Sequence, residues 1–121
     1  MKKVYICSPY RGDIERNTRA ARRYCLLAIK DGYLPIAPHL IFTEFLDDSI
    51  PEQREQGILM GLELLDHCNE IWVFGSEITE GMKQEILFAK TKPYKGIRYF
   101  TIDCLETDGL NGKKKEGGSC K

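Results

Sequence analysis

The chain has 121 residues, 42% hydrophobic and 30% charged, which fits one domain of ordinary globular composition. Eighteen Lys and Arg balance eighteen Asp and Glu. Zero net charge argues against a general nucleic-acid or membrane-surface binder, although a local basic pocket stays open, and no apolar run is long enough to span a bilayer.

Lys3 to Ser8 (KVYICS) is a short apolar run rich in β-formers, closed by Pro9, and predicts a buried strand. A turn-rich loop follows, with Asp13 as the N-cap of an amphipathic helix over Ile14 to Lys30. Asp31-Gly32 ends that helix through a glycine C-cap. Tyr33 to Ala37 carries a proline and reads as an edge strand. The connection from Leu40 to Ile50, with Phe42, Phe45 and Leu46, reads as a lid or pocket wall. Pro51 opens a second helix to about His67, with Ile58, Leu59, Leu62, Leu65 and Met60 directed inward. Glu70 to Phe74 is a third strand, Thr79-Glu80-Gly81 leads into a third helix, and Ile97 to Ile102 is a fourth strand.

Strands alternating with helices at this spacing predict an α/β fold. The expected form is a Rossmann-like or flavodoxin-like three-layer domain with a four- to five-stranded parallel sheet, spanning residues 1–103. Residues 104–121, ending in the polar, glycine-rich stretch Asn111 to Lys121, are expected to form a flexible tail. The five cysteines, at 7, 25, 68, 104 and 120, show no CxxC spacing, so neither a disulfide framework nor a metal site is expected. Cys7, Cys25 and Cys68 read as small buried hydrophobes, and Trp72 reads as core. The N-terminal apolar run is too short for a signal peptide, which makes the cytoplasm the expected location.

In open α/β sheets, ligands bind beyond the carboxyl ends of the strands. That rule selects three loops: Ser8 to Asp13, Pro38 to Phe45, and Gly75 to Gly81. Ser8, Tyr10, Arg11 and Gly12 precede a helix N-terminus, as do Ser76, Thr79 and Gly81, and together they could hold one phosphate or sugar from two sides. The alternative for Arg11 is a plain solvated turn. Glu85, one turn into the third helix, is placed to act as nucleophile or acid/base, or else Glu80 and Glu85 only complement the helix dipole. The arginines at 16, 19, 22 and 23 read as a solvated helix face.

Three of these segments resemble one family. Val4-Tyr5-Ile6-Cys7-Ser8 with Arg11-Gly12, then Cys68 to Gly75, then Thr79 to Ile86 look like the motifs of nucleoside 2-deoxyribosyltransferases and 2′-deoxynucleoside 5′-phosphate N-hydrolases. The similarity is nearest to a small phage and bacterial branch beside that family, and it covers Lys3 to about Ala89. The resemblance implies cleavage or exchange of an N-glycosidic bond through a glycosyl–enzyme intermediate, with Glu85 as nucleophile and Tyr5 orienting it. It implies substrate contacts from Arg11, Thr79 and Gly81, at positions that hold a 5′-phosphate, and from His39, with a nucleoside or nucleotide as the small-molecule partner. The loop reading adds Ser8 and Gly12 as expected substrate contacts, although Ser8-Pro9 replaces a glycine-serine pair of the family's phosphate loop. No cofactor is expected.

Two carboxylates of the family pattern are replaced. The helix aspartate is Gly61, and the aspartate before the third strand is Asn69. Glu63 and Asp66 are the candidate acids to substitute from a neighbouring turn. The alternative function is a non-catalytic protein that binds a nucleotide or an ADP-ribose-like ligand. The family resemblance and the apolar residues Phe42, Phe45, Leu46 and Ile50 lead to the expectation of a homodimer or higher homo-oligomer with a shared site.

Overall fold

The computed structural model describes residues 1–109. The element order is β1 (Lys3–Cys7), α1 (Ile14–Lys30), β2 (Leu34–Ile36), α2 (Pro51–Asp66), β3 (Glu70–Phe74), α3 (Glu80–Lys90), β4 (Gly96–Phe100) and β5 (Glu106–Thr107). Two single 3-10 turns, Pro38–Leu40 and Phe42–Glu44, lie between β2 and α2.

The strands form one sheet in the order β2-β1-β3-β4-β5. The first four are parallel, and β2 pairs on one side only, which accommodates Pro35. β5 departs from the all-parallel expectation and runs antiparallel to β4, pairing Tyr99 with Thr107 and Phe100 with Glu106. The cause is the short connection, because a tight turn returns a chain only in the opposite direction. Thr101 N–H donates to the Leu105 carbonyl, and Cys104 takes a φ of 66° inside that turn. Arg98 clamps the added strand with two guanidinium hydrogen bonds to Glu106, at 3.0 and 2.8 Å. Sheet pairing therefore continues past residue 103. Of the segment expected as a tail, residues 110–121 lie outside the described part.

Period-2 alternation divides the core into two layers. Val4, Ile6, Trp72, Phe74 and Phe100 pack with Tyr24 and Leu27 of α1. Tyr5, Cys7, Ile71 and Val73 pack on the other side with Leu65 of α2 and with Met82 and Ile86 of α3. The α1 layer is strongly aromatic: Tyr24 stacks on Phe74 at 3.9 Å, and Trp72 and Phe100 continue the contact. Cys7 and Cys68 are buried as expected, whereas Cys25 is half-buried.

The helix ends follow local chemistry. The Asp13 side chain accepts from the Arg16 N–H, and Gly32, at φ 83°, follows the last turn of α1. An Asp13→Ala variant is expected to lose about 1 kcal/mol, read as a lower urea midpoint with an unchanged slope. On α2 the inward expectation holds for Leu65 and Leu62, while Leu59 is 64% exposed and Met60 is also exposed. The inner line of that helix is Gly57, Gly61 and Leu65, spaced by four. Among the described residues, no helix is long and apolar enough to cross a membrane.

Candidate active site

Tyr5 sits on β1, beside the crevice where the strand order reverses. Its side chain is 1% exposed, and its hydroxyl donates to Oε2 of Glu85. Glu85 reaches that point because it shares a face of α3 with Met82 and Ala89, three residues before it and four after, both buried. Thr79 caps α3 by accepting from the Met82 N–H at 3.2 Å, which fixes where the helix starts.

A cavity of about 280 Å³ opens above this pair. Gly57 and Gly61 of α2 form one wall, His39 and Phe42 another, and Arg11 and Thr79 lie at its edge. The absent side chain at 61 has a direct geometric reason. A Cβ there would lie 3.2 Å from the Tyr5 hydroxyl, tighter than ordinary contact. Tyr5 is confined by the core, so a Gly61→Ala variant is expected to push it off Glu85. A net loss of about 1 kcal/mol should remain after the helix-propensity gain, with the melting temperature several degrees lower.

Burial dominates the electrostatics of the floor. It raises the Glu85 carboxyl from 4.5 to about 7, against the opposing pull of hydrogen bonds from Tyr5 and the Cys7 thiol. Burial also pushes the Tyr5 phenol well above its usual value, reinforced by the Glu85 charge, so the hydroxyl remains a donor. His39 is lowered by burial, although Asp48 and a hydrogen bond with the Ser8 backbone resist this, so it is mainly neutral at pH 7. Its ring stacks on Tyr10 with centroids 5.0 Å apart, making an aromatic platform in the lining of the pocket.

The structure gathers Tyr5, Glu85, Arg11, His39, Thr79 and Gly81 at one cavity. Ser8 and Gly12 do not join them. Both line an adjoining cleft on the α1 side of the sheet, which shares Arg11 and Thr79 with the first cavity. Glu63 and Asp66 do not serve as replacement acids facing Glu85. They project from the outer side of α2, where Glu63 approaches His67 at 3.4 Å and Asp66 approaches Lys92 at 3.5 Å. Asn69 is also remote from the pocket. It precedes β3 at the amino end of the strands and accepts from the Lys3 N–H at 2.8 Å.

Asp48 is the carboxylate that sequence reasoning missed. It lines the cavity and pairs with Arg11 Nε at 3.0 Å, tying the first loop to the 42–50 segment. The signal was the Asp47-Asp48-Ser49 turn inside the expected pocket wall. Asp47 is taken up locally by Ser49, and its neighbour faces the pocket. Phe42 and Leu46 of the same segment line the cavity, while Phe45 is 66% exposed.

The family model of a domain of unknown function, DUF7768, matches residues 2–100. No curated protein matches the sequence. Among solved structures, the fold is similar to that of a 2-desoxiribosyltransferase from Leishmania mexicana, with a TM-score of 0.58 and 17% identity. The likeness covers 84% of this chain and 65% of that one, so the chain spans about two-thirds of the neighbour's length. At that identity the shared feature is the α/β fold, with its mostly parallel five-stranded sheet flanked by helices.

Proposed function

The chain belongs to the DUF7768 family, and from the pocket it carries we propose that it cleaves or exchanges the N-glycosidic bond of a (deoxy)nucleoside or nucleoside 5′-phosphate. The observation that carries this reading is the buried Glu85–Tyr5 pair at the floor of a nucleoside-sized cavity. The name of the structural neighbour, a deoxyribosyltransferase, is consistent with it.

Glu85 acts as the nucleophile. Its carboxylate forms a bond to the anomeric carbon while the bond to the base breaks and its electron pair leaves with the base, which takes up a proton from solvent. Water or a second base then attacks the same carbon, gives up its proton to solvent and releases the carboxylate, with net retention of configuration. Tyr5 is the positioning residue: its hydroxyl fixes one carboxylate oxygen and leaves the other for attack. Arg11, Thr79 and Gly81 hold a 5′-phosphate at the mouth, where the ligand takes over Arg11 from Asp48. The His39–Tyr10 platform offers a flat face for the base or the sugar.

Incubation with a panel of nucleosides, deoxynucleosides and their monophosphates tests the reading. Free base is expected from at least one of them, with an ascending pH limb near 7 as Glu85 ionises. Release from none overturns it. One observation favours a second reading, a nucleotide-binding protein without turnover: Gly61 leaves the wall of α2 without the carboxylate of the resembling family. Thermal stabilisation by nucleotides in the absence of any turnover would select that reading.

The proposal includes a twofold homodimer whose second copy packs on the exposed Phe45 and Ile50 and helps to close the pocket. Light scattering that returns the monomer mass of 13.9 kDa at micromolar concentration overturns that part.

A further inference from the structure

We propose that the cleft on the α1 side of the sheet is an anion site for a diphosphate, and that it receives the 5′-substituent of the ligand whose sugar occupies the Glu85 pocket. The inference rests on the reading above for the sugar, and on separate observations for the anion. The cleft has a volume of about 630 Å³ and lies at the carboxyl ends of β1, β3 and β4.

Ser8 supplies the first observation. It is 2% exposed, and its Oγ is the buried side-chain oxygen without a hydrogen-bond partner among the described residues. Ser8 follows Cys7, whose side chain belongs to the α2–α3 layer, so strand alternation turns Ser8 to the α1 side, where it lines the cleft. A buried hydroxyl left unpaired costs free energy that a ligand oxygen would recover.

Charge supplies the second. Arg16 and Arg23 of α1 line the cleft beside Arg11 and the helix N-terminus. Two carboxylates, Asp13 and Glu77, share the lining, and Asp13 is engaged as the helix cap. Arg19 pairs with Glu15 at 2.7 Å outside the cleft. All four arginines of α1 are exposed, as expected, and Arg16 and Arg23 line the open cleft.

Continuity is the third. Arg11 and Thr79 line both cavities, so the two share a saddle. One phosphate on that saddle is within reach of the first pocket, and a second phosphate continues toward Ser8 and Arg16. The ligand class is a nucleoside diphosphate or a larger diphosphate-linked nucleotide.

Calorimetric titration of the Glu85→Gln protein with 2′-deoxyadenosine, its 5′-monophosphate, its 5′-diphosphate and inorganic pyrophosphate tests this. The diphosphate is expected to bind at least tenfold more tightly than the monophosphate. Arg16→Glu with Arg23→Glu should remove that gain, and Ser8→Ala should reduce pyrophosphate binding severalfold. Arg19→Glu with Arg22→Glu makes the same charge change off the cleft and should leave the gain in place. Equal affinity for mono- and diphosphate overturns the proposal, as does equal loss from both arginine pairs. Pyrophosphate binding that depends on Arg16 and Arg23 supports the anion site even where no nucleoside is cleaved. Cleavage without any diphosphate gain refutes the anion site and leaves the glycosidic reading standing.

Discussion

A Glu85→Gln variant is expected to lose base release by about a thousandfold or more and to become more stable above pH 7. The loss of activity follows from the role: an amide does not form the glycosyl intermediate, and removing a nucleophile is among the costliest single changes in an active site. The gain in stability follows from burial. The folded carboxyl holds its proton up to about 7, whereas the reference value is 4.5. Between those limits the folded chain binds more proton than the unfolded chain, so stability is highest at the acid end and falls as pH rises through the window. At about 1.4 kcal/mol per pH unit, that interval corresponds to at most about 3.5 kcal/mol, less for a side chain that retains some solvent. Glutamine has no charge to desolvate and still accepts from Tyr5. With about 1 kcal/mol of that bound realised, the variant should melt roughly 4–8 °C above the parent at pH 8, and the two should coincide below pH 4.5. Calorimetric melts across that range check the sign. A variant that melts with or below the parent at pH 8 would show that no buried charge is being relieved.

The same burial that weakens the fold places the ionisation of Glu85 at neutral pH. The two readouts are therefore coupled in the parent and separable in the variant. Loss of activity without a pH-dependent stability gain would mean that Glu85 is catalytic but well solvated. The stability gain without any parental activity would mean a buried carboxylate at a binding site.

Much of this arrangement is written in short-range patterns. The α1 boundaries follow from Asp13 at one end and Asp31-Gly32 at the other, and both ends are held by the expected chemistry. Glu85 is legible because Thr79 fixes the start of α3 and the helical period then carries the carboxylate inward. The division of the first loop between two clefts is legible too, but only through the strand period. Tyr5 and Cys7 share one face, and Ser8 belongs to the other. Placing Ser8 at the Glu85 pocket counts loop proximity and ignores that alternation, whereas Arg11 lines both clefts.

The misplaced residues have equally local causes. On α2, apolar side chains at 58, 59, 60, 62, 64 and 65 surround much of the helix, so their spacing does not select an inner face. The glycines at 57 and 61 select it, through a close approach to Tyr5 that arises only once β1 and α2 are packed. From Gly61, a residue two positions on is rotated by about 200° and one five positions on by about 140°. Glu63 and Asp66 therefore turn away from the wall that Gly61 occupies. β5 escaped detection because two residues carry no periodicity, and their pairing depends on the Thr101–Leu105 turn and on Arg98 reaching Glu106.

A Tyr5→Phe variant is expected to move the ascending pH limb from near 7 to between about 8 and 9 and to lower kcat/KM at pH 7 by about 10- to 100-fold. The Tyr5 hydroxyl is the leading influence that holds the buried Glu85 carboxyl down, and the Cys7 thiol alone remains to oppose burial once it is gone. A hydrogen bond to a charged group contributes about 1.5–3 kcal/mol, which is about one to two pH units. Phenylalanine keeps the ring and its packing in the α2–α3 layer. The deficit should therefore shrink above pH 9, where Glu85 is ionised in both proteins, and a smaller residue should remain from lost orientation of the carboxylate. A merely structural role for Tyr5 would lower activity equally at every pH. A rate profile for the variant with its limb still near 7 would remove the phenol from the ionisation of Glu85, and would leave the Tyr5–Glu85 contact as packing.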